Sequence, residues 1–156
     1  MILRPVSLSY FSKEPATSSI IRGQNFTVEC VRGVNGAEHA LHSDHETILI
    51  LPESSATLAT GFETVDVAAR SIAIVPGGPA RLVLPDGARA FALTTARTDT
   101  DCAGVVNASD YQVPDGRVLP VAMPMELRAK DAERVRVYQV DEVPFPDGNP
   151  RLKFFQ

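Results

Sequence analysis

An all-β fold, a sandwich or barrel of many short strands, is what the sequence predicts, and three observations predict it. Apolar and polar residues alternate along several short segments, the period of a half-buried strand. Ten glycines and twelve prolines are spread along 156 residues, so any long helix would be interrupted. Turn signals recur at close spacing between the apolar segments, as they do in sandwiches and barrels. The length suits one domain with one core, or one domain plus an extension.

Each element has its own reason. Val6, Leu8 and Tyr10 share one parity against Ser7 and Ser9, and Phe26, Val28 and Cys30 share one against Thr27 and Glu29; both segments read as strands. Gly33-Val34-Asn35-Gly36 reads as a turn, because glycine and asparagine tolerate positive φ. Thr47 to Leu51 is continuously apolar and rich in isoleucine, which favours a buried strand over a five-residue helix. Further strands are expected at Ala56 to Ala59, Thr64 to Ala68, Ser71 to Val75, Arg81 to Leu84 and Arg89 to Thr94. The turns Pro76-Gly77-Gly78-Pro79 and Pro85-Asp86-Gly87 separate the last three. After Arg97 the chain becomes polar and turn-rich, as a surface loop is. A short helix is expected from Met125 to Arg134, opened by Pro124, and a strand from Val135 to Val140. The apolar-ended tail RLKFFQ would be costly to leave in water. Residues 1–97 are therefore read as N-terminal strands plus the barrel core. Residues 98–156 are read as a loop, a short helix and a C-terminal strand that pack on the barrel or on a partner.

The net charge of −4 works against nonspecific attraction to nucleic acid or to an anionic membrane. Among the basic residues Arg128, Lys130, Arg134 and Arg136 stand Asp131 and Glu133, a mixed-charge solvated face. No apolar run approaches the roughly 18 residues of a spanning helix, and the N-terminal residues lack the pattern of an export signal. A cytoplasmic protein follows, in which Cys30 and Cys102 are free thiols, Cys30 being a small buried hydrophobe.

All three histidines lie at His39, His42 and His45, directly before the TILIL strand and followed by Glu46. Imidazole and carboxylate groups gathered by a strand suit a divalent transition metal such as zinc, iron, nickel or manganese. In an extended segment His42, Glu46, Ile48 and Ile50 share one parity. The candidate metal set is His42, His45 and Glu46, with His39 as a further member.

These residues carry a resemblance to the cupin superfamily. Gly36, then His42, then Glu46 opening the TILIL strand resemble the first cupin motif, although the second histidine of the usual pair is missing. Pro76-Gly77-Gly78-Pro79-Ala80-Arg81 resembles the second motif, with arginine where the family has its metal histidine and Arg70 where a glycine usually opens it. The likeness runs from about Phe26 to Thr94. It implies a jelly-roll β-barrel, homodimerisation and a ligand or metal held inside the barrel. The expectation is a small-molecule-binding protein, its ligand an anionic organic acid or a sugar derivative, met by His42, Glu46, Arg81, Ile48, Ile50 and Val83. Arg81 would supply the fork that matches a carboxylate and would pair with Glu46 in the interior. The alternative is a metal-dependent enzyme of dioxygenase or isomerase type using His42 and Glu46.

Overall fold

The computed structural model describes residues 18–23, 26–95, 105–107 and 133–143. The strand expected at Val6 to Tyr10, the loop after Arg97 apart from Val105 to Asn107, the tail after Phe145 and nearly all of the helix expected from Met125 lie outside them. Glu133 and Arg134, the described end of that expected helix, form a turn and a bend.

Among the described residues ten strands form two sheets. They are β1 (Ser18–Arg22), β2 (Phe26–Arg32), β3 (Glu38–Ser43), β4 (Thr47–Leu51), β5 (Ala56–Thr60), β6 (Thr64–Val67), β7 (Ser71–Val75), β8 (Gly78–Val83), β9 (Arg89–Thr95) and β10 (Arg136–Gln139). The larger sheet has the order β1-β2-β9-β4-β7-β10 and the smaller β3-β8-β5-β6. Every named pair within them is antiparallel. Leaving β1 and β10 aside, two four-stranded sheets remain, β2-β9-β4-β7 and β3-β8-β5-β6, in the double Greek-key order of a jelly roll. The expected jelly roll is present, but among the described residues no ladder joins the two sheets, which there form an open sandwich rather than a closed barrel.

The core lies between the sheets. Leu49, Leu51, Leu58, Leu82, Val31, Val67 and Val75 are almost fully buried there, and they belong to one continuous cluster. Alanines 73, 80, 90 and 92 fill the tighter positions between them.

One end of the sandwich is closed by two interlocked turns. Asn35 and Gly36 both have positive φ, and Ala37 N–H donates to the Val34 carbonyl, the geometry of a type I′ hairpin turn. The turn before β9 meets it: Gly33 N–H donates to the Ala88 carbonyl at 2.9 Å and Gly87 N–H to the Gly33 carbonyl at 3.0 Å. A Cβ on Gly33 would fall on the Pro85 carbonyl oxygen, so only glycine fits this approach.

The two outer strands are tied down separately. Residues Val105 to Asn107 run along β1 as a parallel bridge at Ile20. Asn107 accepts from Arg22 N–H through Oδ1 and donates to the Arg22 carbonyl through Nδ2, both at 2.9 Å, which covers an edge that would otherwise invite another strand. On the opposite side β10 pairs with β7. There Arg70 grips Asp141 with two bonds of 2.6 and 2.8 Å, and Glu63 accepts from Val135 N–H at 2.6 Å.

Candidate functional site

Strand parity decides which side chains face the interior. In β4 the inner residues are Thr47, Leu49 and Leu51, so Ile48 and Ile50 lie on the outer face of the larger sheet, where Ile48 is 41% exposed. Glu46 stands there too and binds Arg136 of β10 at 2.5 Å. In β8 Ala80 and Leu82 point inward, which leaves Arg81 and Val83 on the outer face of the smaller sheet. Arg81 reaches Glu38 at 3.4 Å, with 68% of its side chain exposed. The interior lining expected of Glu46, Ile48, Ile50, Arg81 and Val83 is therefore corrected. The expected Glu46–Arg81 ion pair does not exist, because the two residues stand on opposite outer surfaces. The physical reason is that the larger sheet is apolar on both faces, so apolar parity alone could not say which face was inside.

His39 and His45 stand apart. His45 sits exposed in the turn between β3 and β4, its N–H donating to Ser43 Oγ. His42 occupies the register position opposite Pro79 near the end of β3. His39 lies on the same parity as buried Leu41 and therefore faces inward. Among the described residues no three histidine, cysteine, aspartate or glutamate side chains stand close enough to hold a metal ion. The centre between the sheets is occupied by Leu41, Leu49, Leu58 and Leu82, which offer no donor atom. The described residues do not fit a resident transition metal.

What the interior does contain is a polar strip along β1, β2 and β9 facing β3. Glu29 shares its parity with the core residue Val31, and its Oε1 lies 2.9 Å from His39 Nε2 across the two sheets. Each side chain is 22% exposed. This contact spans the side where no backbone ladder closes the sandwich. One residue pair nearer the β1–β2 turn, Thr27 Oγ1 and Thr94 Oγ1 are 2.7 Å apart. Cross-strand register then places Arg22 beside Thr27 and Thr47 beside Thr94, both nearly fully buried. A carboxylate–imidazole pair with adjacent hydroxyls can hold a proton, orient a hydroxyl-bearing ligand and accept its hydrogen bonds.

Sequence reasoning named His39 but missed Glu29, Thr27 and Thr94, because Phe26, Val28 and Cys30 look like the core side of β2. The real inner side is Thr27, Glu29 and Val31. A buried-strand reading that asked where a glutamate in the middle of an apolar strand finds its partner would have pointed to His39, ten residues on.

Cys30 is buried on the outer parity of β2. Burial pushes its thiol above the ordinary value of 9.0, Arg89 pulls it down and Glu29 raises it. The net shift is upward, so the stability tied to the neutral thiol is complete below the unfolded-state value and is lost as pH rises through the higher folded one. In a Cys102→Ser background, Cys30 is expected to react with an aromatic disulfide reagent at pH 7 only after urea is added. Rapid labelling of the native protein would contradict the burial.

The class this defines is an antiparallel jelly-roll sandwich with a polar strip at its unclosed side. No protein-family model matches the chain, and no curated protein matches it either. Solved structures similar to it include a protein of unknown function from Rhizobium leguminosarum, at 19% identity and a TM-score of 0.46, covering 61% of this chain and 97% of that one. An RmlC-like cupin family protein with a double-stranded β-helix fold from Methanocaldococcus jannaschii is 14% identical, with a TM-score of 0.42 over 53% of this chain and 84% of that one. A cupin-2 domain protein from Shewanella frigidimarina is 15% identical, with a TM-score of 0.43 over 56% and 90%. At such scores it is the strand order of the chain itself that establishes the jelly roll. No helix among the described residues is long and apolar enough to cross a membrane.

Proposed function

We propose that the chain is a small-molecule-binding protein of cupin type, whose ligand enters between the sheets on the β2–β3 side and meets Glu29, His39, Thr27 and Thr94. The observation that carries this reading is the Glu29–His39 pair, each side chain 22% exposed, set in a polar strip at the margin of the apolar core. Binding sites are commonly apolar clefts with a few convergent polar groups. The metal-dependent alternative needs His42 and Glu46 to converge, whereas Glu46 is engaged by Arg136 on an outer face. Metal analysis of the purified protein tests the choice. Less than a tenth of an equivalent of zinc, iron, nickel or manganese is expected, and a stoichiometric metal lost with His42→Ala would favour the enzyme.

Two copies are proposed to associate through the outer face of the larger sheet. Register aligns Val28, Leu93, Ile48 and Ile74 across four strands there. The Glu46–Arg136 pair adds one charge of each sign at the rim, an arrangement that a two-fold axis can match with itself. Light scattering at micromolar concentration is expected to give twice the chain mass, and Ile48→Arg to halve it. A monomeric mass for the unaltered protein would remove the claim.

A further inference from the structure

We infer that the edge of β7 is a strand-addition site read by charge at both ends, and that β10 is its releasable occupant. The partner it fits in trans is an extended peptide with a basic residue five positions before an acidic one. The inference does not rest on the pocket reading above. β10 lies at the end of the larger sheet and is held by its ladder to β7. None of its four residues is buried, whereas β7 buries alternate residues from Ser71 to Val75. Val135, just before β10, packs at the margin of the core and donates its N–H to Glu63. Burial therefore says little about where β10 sits, and the charged contacts at its two ends say more. Arg136 binds Glu46, the residue before β4. Asp141, five residues on, is gripped by two bonds from Arg70 in the turn between β6 and β7, and the Arg70 carbonyl also accepts from Val140 N–H at 2.9 Å.

Both readers belong to the frame and not to the strand they hold. Glu46 stays with β4 and Arg70 with the β6–β7 turn when β10 leaves, one negative and one positive, at opposite ends of the β7 edge. Arg70 has a φ of 58°, a left-handed conformation that any side chain adopts at a cost. Such strain persists where the surroundings over-determine it, and here two guanidinium bonds and one backbone bond converge on the residue. The charged contacts set register but fasten weakly. The side chains of Arg70 and Asp141 are 66% and 60% exposed, and pairs so open to water contribute little and are screened by salt. A strand with no buried residue and screened fastenings opens locally while the sheets stay folded. The bare edge of β7 then offers main-chain donors and acceptors to an added strand, while Glu46 and Arg70 select its charges.

The test uses the whole chain and a fluorescent peptide of residues 134–142. In the unaltered protein the resident strand competes at an effective concentration on the order of millimolar, so the peptide is expected to bind weakly. In Asp141→Lys, where Arg70 repels the resident strand, the peptide is expected to bind about tenfold tighter. A peptide carrying both Arg136→Glu and Asp141→Lys is expected not to bind. Hydrogen exchange gives a second readout. The amides of β10 are expected to exchange about tenfold faster in Asp141→Lys, and also in the unaltered protein at about 0.5 M salt, with those of β4 and β9 unchanged. The salt arm needs no variant and keeps the test alive should Asp141→Lys fail to fold. Equal acceleration in β10, β4 and β9 would overturn the releasable strand. Peptide binding no tighter in the variant, or equal binding of the charge-altered peptide, would overturn the charge-read site.

Discussion

Leu49→Ala is expected to destabilise the protein by about 4 kcal/mol, near the upper part of the range for leucine truncation in a core. Leu49 is completely buried in the middle of β4. Its inner-face neighbours on either side are Ala73 of β7 and Ala92 of β9, and neither is long enough to move into the space left behind. The cavity therefore stays open and its cost adds to the lost transfer energy. The adjacent Ile48→Ala, on the outer face, is expected to cost about 1 kcal/mol or less. Urea unfolding measures both, and an equal loss for the two variants would show that the faces of β4 have been assigned wrongly.

Gly33→Ala is expected to cost about 3 kcal/mol, at the strong end of overpacking effects. The added methyl group would meet the backbone carbonyl oxygens of Pro85 and Leu84, and a backbone oxygen cannot rotate away as a side chain can. Relief requires the two turns to separate, which breaks the bonds from Gly33 N–H to Ala88 and from Gly87 N–H to Gly33. Gly36→Ala, three residues away, meets no atom but occupies a positive φ of 66°. It is expected to lose only about 1 kcal/mol from backbone strain. A Gly33→Ala protein as stable as the Gly36→Ala one would mean that the turns are not interlocked.

The strands were legible where alternation was clean or where β-branched residues clustered, as in Thr47–Leu51, Ser71–Val75 and Arg89–Thr95. β3 was hidden by its own chemistry, because EHALHS reads as a site rather than as a strand. β1 was hidden because SSIIR is too short to show a period. The turns at Gly33–Gly36 and Pro85–Gly87 could be read directly from the residues that favour turns, whereas Gly78 and Pro79, expected in a turn with Pro76 and Gly77, already belong to β8. The site was harder, since Ile48, Ile50, Val28 and Leu93 make the outside of the larger sheet as apolar as its inside. One step of parity then exchanged Glu46 for Glu29. Side chains from different layers, such as Glu29 and His39, come together only through tertiary register, which local sequence does not carry.

The pairing of β2 with β9 also sets a delay during synthesis. Cys30 lies opposite Phe91, with the whole of the smaller sheet encoded between them. At ribosomal rates of about 5–20 residues per second, β2 leaves the ribosome roughly 3 to 12 s before its inner partner exists. During that interval β1 can protect one edge of β2, while the other presents an apolar strand with open backbone donors and acceptors to every nascent chain nearby. The yield of folded protein should therefore depend more on how crowded that interval is than on the stability of the finished sandwich.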